Sequence, residues 1–223
     1  MAEQDSLSTR RSALLQERSR STRRRLVRAA LELWAERGFE RGIEETTAAE
    51  IAAAAGVSKA TFYLHFARKE DILHEMAHAA AVAFEVATDA ALARSLPMQE
   101  VFDILHTSLA KRVEGTGRVA VARSLAEEKR RAILSIGDDP SRFGLSYERV
   151  LKYGQDRGEL PKNCDHRDAA DMLEALTLDA VERWARGAVS RVKPVLRWRT
   201  RLILKGLVST ESSTAVGILD GDV

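Results

Sequence analysis

The chain has 223 residues, 45% of them hydrophobic and 30% charged, which suffices for one small domain and one larger core. Its 35 basic and 33 acidic side chains leave a formal charge of +2, too even for a protein that coats nucleic acid with its whole surface. No stretch reaches the roughly 18 apolar residues of a membrane span, and the N-terminus has no apolar signal core. The single cysteine, Cys164, has no partner for a disulfide or a Cys-x-x-Cys pair. A cytoplasmic protein with no membrane association is therefore expected.

The elements are predicted in chain order. Residues 1–28 hold Arg10, Arg11, Arg18, Arg20, Arg23, Arg24, Arg25 and Arg28 against Glu3, Asp5 and Glu17, so the positive charge is concentrated at this end. Residues 1–18 are polar and lack a sustained apolar period. They read as a disordered basic arm, either able to order on phosphates or simply solvated. A first helix follows from about Arg23, where some of the arginines can pair with Glu32 or Glu36 along the same face.

The run Thr46 to Phe66 carries the most information. Thr47 is followed three residues later by Glu50, the spacing of a reciprocal capping box, so a helix is predicted from Ala48. Ile51, Ala52 and Ala55 give it a narrow apolar edge of small residues where another helix crosses closely. Gly56 suits the left-handed stop, Val57 fills the angle, and Ser58 caps a second helix over Lys59 to Phe66. On that helix Phe62 and Phe66 face inward, while Lys59, Ala60, Thr61, Tyr63, Leu64 and His65 project around the outer arc. Such an arc suits phosphate oxygens and base edges in a major groove. An ordinary αα-hairpin with a polar outer face has the same spacing.

These residues resemble a known family. The string AGVSKATFYLHFARKEDIL, with the preceding TRRRLVRAALELWAERGFE, is similar to the signature of the TetR (tetracycline repressor) family of bacterial transcriptional regulators. The likeness covers about the first third of the chain, and its order and spacing set the plain hairpin aside. One departure stands out: the segment after Gly38, FERGIEETTAAE, is about four residues longer than the family pattern and is expected to lengthen a surface loop. The resemblance implies base contacts from Lys59, Ala60 and Leu64. It assigns phosphate contacts to Thr47, Thr61, Tyr63, His65 and Lys69, with Lys69 opening the next helix. Leucine on a short amphipathic helix more often packs than reads bases, so Leu64 has both readings.

From Asp71 onward, turn residues at 95–97, 115–117, 137–140, 154–163, Gly187 and Lys193-Pro194 separate helical segments, and no run alternates with strand period. The fold class is all-α. Three N-terminal helices form a helix-turn-helix domain over residues 19–68, and a helical ligand-binding and dimerisation domain of six helices over residues 69–223 brings the total to about nine, the architecture the resemblance implies. The last two helices carry apolar stripes that include Leu173, Leu176, Val181 and Trp184, then Trp198 and Leu202. Either stripe suits an intrachain core. The resemblance implies a two-fold homodimer interface there, and hence a palindromic operator in double-stranded DNA. It also implies a small-molecule effector in the body, where Phe84, Phe102, His106, Tyr147 and Trp184 are the candidate lining residues.

Two alternatives belong to other classes. His74 and His78 have i,i+4 spacing suited to zinc, with Glu75 nearby and Cys164 or His166 more distant, which would make a metal-responsive regulator with the same head. No local third and fourth ligand accompanies them, so no metal site and no cofactor are expected. An all-helical enzyme or scaffold lacks support from any glycine-rich phosphate loop or Gly-x-Ser-x-Gly elbow.

Overall fold

A computed structural model describes residues 2–134 and 141–209, with side chains over 12–131 and 141–208. Within these residues the chain is helical throughout, with no strand. The helices are α1 (Ala2–Glu36), α2 (Phe39–Glu45), α3 (Ala48–Ala54), α4 (Lys59–His65), α5 (Asp71–Leu92), α6 (Met98–Thr116), α7 (Arg118–Leu134), α8 (Arg142–Asp156), α9 (His166–Ala185) and α10 (Val192–Ser209). That is ten described helices against the expected nine or so. The six helices of the body are as expected, and the added one lies in the head.

The added helix is α2. The segment expected to lengthen a surface loop is helical because Ile43 has a core to enter and Gly42 lets the backbones close up. A Cβ at Gly42 would lie 2.6 Å from both the Cα and the carbonyl oxygen of Trp34. Glycine is required there by close approach, not by backbone conformation. The basic arm also differs from expectation, since α1 runs unbroken from Ala2. Among the described side chains its charge pairs elsewhere than anticipated: Arg23 bonds Glu75, and Arg25 bonds the Ala55 carbonyl at the end of α3.

The chain divides into two compact units, residues 1–76 and 77–223. The expected boundary at 68/69 falls earlier because the first turns of α5 belong to the head: Ile72 and Leu73 are buried with Leu26, Trp34, Ile51 and Phe62. In the second unit α9 is central, packing against α7, α8 and α10, while α6 packs against α7, α8 and α10. Its core joins Phe84, Phe102, Leu105, Tyr147, Leu173 and Trp184. Gly154, expected to stop a helix, lies inside α8, where the Met98 side chain occupies the space a Cβ would need. Pro97 is the N-cap of α6. The turn residues expected at 137–140 lie outside the described residues.

Candidate nucleic-acid interface

The interface is built on a corner whose every joint has a named cause. Thr47 caps α3 in a full capping box: the Glu50 N–H donates to its hydroxyl oxygen at 3.2 Å, and its own N–H donates to Glu50 Oε2 at 2.7 Å. Arg37 adds a guanidinium to the same carboxylate at 2.7 Å. Hydrogen bonds from Arg37 and Thr47 hold the Glu50 carboxyl down to about 2. Gly56 turns the chain with φ of 65°, and Ser58 caps α4 by accepting from the Thr61 N–H at 3.0 Å. Ile51, Ala52, Ala55, Phe62 and Phe66 are buried, as their spacing predicts. The helix proper ends at His65, and Phe66 is its extended C-cap.

Two arginines from α1 lock this corner, and sequence reasoning missed both roles. Arg25 donates to the Ala55 carbonyl from Nε at 3.1 Å and from Nη2 at 2.5 Å, satisfying the C-terminal end of α3. Arg23 lies over the Phe66 ring at 4.3 Å, donates to the His65 carbonyl at 2.6 Å, and pairs with Glu75 at 2.6 Å. Part of the basic cluster is thus structural. Nothing in the local pattern announces it, because the partners are 30 to 52 positions away.

The outer arc of α4 is open. Lys59 and Ala60 are exposed, Tyr63 is 51% exposed, and Leu64 at 83% is the most exposed large apolar side chain among those described. Packing therefore does not explain Leu64. Thr61 is half-buried, its hydroxyl 2.9 Å from that of Ser58, and Thr47 is exposed with its hydroxyl on Glu50 at 2.8 Å. Partial burial and the nearby Arg23 charge pull the His65 imidazole below its usual range, so at neutral pH it is an uncharged hydrogen-bonding group. Lys69 differs from expectation. It lies in the turn before α5, and its ammonium donates to the carbonyls of Glu44 at 2.7 Å and Thr46 at 2.9 Å.

The candidate effector residues of the body are buried together. Phe84 and Tyr147 are 5.2 Å apart ring to ring, Phe102 and Tyr147 6.1 Å, and Phe102 and His106 5.9 Å. The Tyr147 hydroxyl meets Thr177 at 2.7 Å, and burial pushes the phenol's pKa upward. Burial lowers His106 to about 4; its Nε2 is 3.3 Å from the Thr200 hydroxyl, and its buried Nδ1 has no partner among the described residues. Trp184 belongs to the same core but takes Arg118 over its ring at 4.7 Å.

Of the six expected interface residues, Leu173, Val181 and Trp184 are buried in the chain's own core, because these faces of α9 meet neighbouring helices of the same unit. Leu176 is half-buried. Trp198 at 61% and Leu202 at 50% are exposed, as are Met172 and Leu178. Among the described residues no three His, Cys, Asp or Glu side chains converge as a metal site requires, so His74 and His78 gain no third ligand.

The profile of the bacterial regulatory proteins of the tetR family matches residues 26–76, ending where the first unit ends. The HTH-type transcriptional regulator TcmR of Streptomyces glaucescens is 35% identical over 118 residues, which are 51% of this chain and 50% of that protein. Over residues 26–76 the chain is of the tetR family of bacterial regulatory proteins. It spans about half the length of that curated relative. Structural counterparts extend along most of the chain's length. One is Thermus thermophilus FadR, a TetR-family transcriptional repressor solved with lauroyl-CoA, with a TM-score of 0.64, 26% identity, and coverage of 90% of this chain and 99% of that one. Another is the fatty acid degradation regulator FadR of Bacillus halodurans, with a TM-score of 0.59, 20% identity, and coverage of 83% and 96%. The second likeness speaks for the TetR fold alone.

Proposed function

We propose that this TetR-family chain is a transcriptional repressor that binds a palindromic operator as a homodimer and is released by a small-molecule effector. The observation that carries the DNA reading is the outer arc of α4, where an 83% exposed leucine stands among polar side chains on a helix capped at its start by Ser58 and held at its end by Arg23. Rigid placement of such an arc is what base readout requires, since a bidentate or methyl contact discriminates only when its geometry is fixed. Lys59, Ala60 and Leu64 face base edges; Thr47, Thr61, Tyr63 and neutral His65 face phosphates.

A single seven-residue helix covers too few base pairs for useful specificity, so a second copy is needed. The exposed apolar side chains Met172, Leu178, Trp198 and Leu202 on α9 and α10 offer apolar surface suited to it. The aromatic cluster around Tyr147, with the buried His106 beside it, supports the effector reading. The lauroyl-CoA complex of the FadR relative is consistent with a small molecule in the body. Release then requires only that the effector favour one shape of the body over another. α5 gives Ile72 and Leu73 to the head core and Phe84 and Ala91 to the body core, so it belongs to both units.

Selection from a pool of random duplexes tests the proposal. Wild-type protein enriches a two-fold symmetric sequence with half-sites in successive major grooves, and the Tyr63→Ala/Leu64→Ala variant enriches none at the same concentration. Equal enrichment by that folded variant would contradict the site assignment.

A further inference from the structure

Lys69 occupies a place that the family resemblance gives to a phosphate contact, yet two of the three N–H donors of its ammonium are spent on backbone carbonyls. It spans the Glu44 and Thr46 carbonyls at 2.7 and 2.9 Å, at the C-terminal end of α2, the helix formed by the segment that exceeds the family pattern. That end carries the negative pole of a helix, and the exposed carboxylates of Glu44 and Glu45 lie on the same turn. Thr47 follows immediately. Without a counter-charge, a phosphate approaching Thr47 would meet this negative surface.

Thr46 is the joint through which Lys69 acts. It is fully buried, and three groups fix it: its N–H donates to the Gly42 carbonyl at 3.0 Å, its hydroxyl accepts from Arg37 at 3.2 Å, and its carbonyl accepts from Lys69. The next residue is the N-cap whose hydroxyl and N–H begin α3.

We infer that Lys69 is a positioning residue for DNA binding: it holds and neutralises the C-terminal end of α2, and thereby sets Thr47 and the start of α3 against the duplex, instead of touching a phosphate itself. The inference rests on the DNA-binding reading above, and it gives α2 a task. The added helix takes over Lys69 and uses it to brace the corner at which Thr47 caps α3.

The test uses wild-type protein, Lys69→Met and Lys69→Arg on the duplex that wild type enriches, with affinity measured over a range of salt. Lys69→Met binds about fivefold more weakly, the scale of one lost hydrogen bond, and Lys69→Arg recovers most of that loss. The slope of log affinity against log salt is the same in all three, because a lysine that meets no phosphate releases no counterion. Thr47→Val costs less in the Lys69→Met background than in wild type, since the two act in series.

A slope shallower by about 0.9 in Lys69→Met, with an additive Thr47→Val effect, would overturn the inference and restore a direct phosphate contact. Should Lys69→Met not fold, the ¹⁵Nζ resonance of Lys69 in wild type decides: it keeps its position on adding the duplex, whereas a new phosphate partner would move it. Failure of the wild type to enrich any duplex would instead remove the DNA reading, and this inference with it.

Discussion

The head and the body share one use of polar groups and differ in another. In both, charged side chains bond backbone groups: in the head Arg25 on Ala55, Arg23 on His65, Lys69 on Glu44 and Thr46, and Glu50 on Thr47; in the body Glu159 on Met98, Glu114 on Val192 and Arg199 on Leu176. The body core also buries uncharged polar groups among rings, Tyr147 on Thr177 and His106 beside Thr200 and Phe102, while its buried Glu127 pairs with Arg130 and Arg131. A small domain that must leave one face open to a polyanion has little core to spare, so capping and ion pairs brace its short helices. A larger domain can bury hydroxyls and an imidazole where a small ligand would find directional partners without full charges.

Truncating a core ring in each unit makes the largest break in this comparison. Phe62→Ala and Phe102→Ala each cost about 3–5 kcal/mol by chemical denaturation. Operator binding distinguishes them, because Phe62→Ala loses the braced α4 while Phe102→Ala leaves the recognition arc formed wherever the chain still folds. Equal loss of DNA binding by two folded variants would mean that the head does not own its geometry.

Acid separates the units next. His106 titrates near 4 when folded against 6.5 ordinarily, so between those values the unfolded chain takes up the proton and the body weakens as pH falls through that window, by roughly 3 kcal/mol in all. Glu50 titrates near 2 against 4.5, so its contribution to the head is complete above 4.5 and is lost only as pH falls toward 2. Stability curves from pH 7 to 2 should show the earlier decline flattened in His106→Gln and the later one in Glu50→Gln. A decline between 6.5 and 4 that survives His106→Gln would refute the assignment.

Gly42→Ala probes the added helix. The new methyl meets Trp34 backbone atoms that cannot swing away, and overpacking of this kind costs about 1–3 kcal/mol. The expected loss is in the head, with weaker operator binding. At the small end, Leu64→Ala changes thermal stability by no more than about 0.5 kcal/mol, because an exposed side chain makes little packing, yet it relaxes base preference at one operator position. A clear drop in melting temperature would show that Leu64 packs after all.

What the amino-acid sequence revealed follows the same division. The Thr47–Glu50 box, Gly56, Ser58 and the inward Phe62 and Phe66 were legible because each rests on residues within a turn or two of one another. The roles of Arg23, Arg25 and Lys69 were not, since their partners lie 23 to 52 positions away and a basic run has the same composition whether it caps carbonyls or meets phosphates. α2 was read as loop because a seven-residue segment with one buried isoleucine shows no helical period of its own; only its fit against Trp34 makes it a helix. In α9 the stripes were correctly apolar, but periodicity cannot say which of two faces meets the chain's own core. Hence Leu173, Val181 and Trp184 were assigned outward while Met172 and Leu178 supplied the open surface.

Hydrogen–deuterium exchange of the wild-type protein, free and with its enriched duplex, tests the central claim most directly. The account predicts new protection over Thr47 and the Lys59–His65 helix, with the body helices unchanged or altered only in degree. Protection confined to the body, with α3 and α4 exchanging as in the free protein, would contradict it.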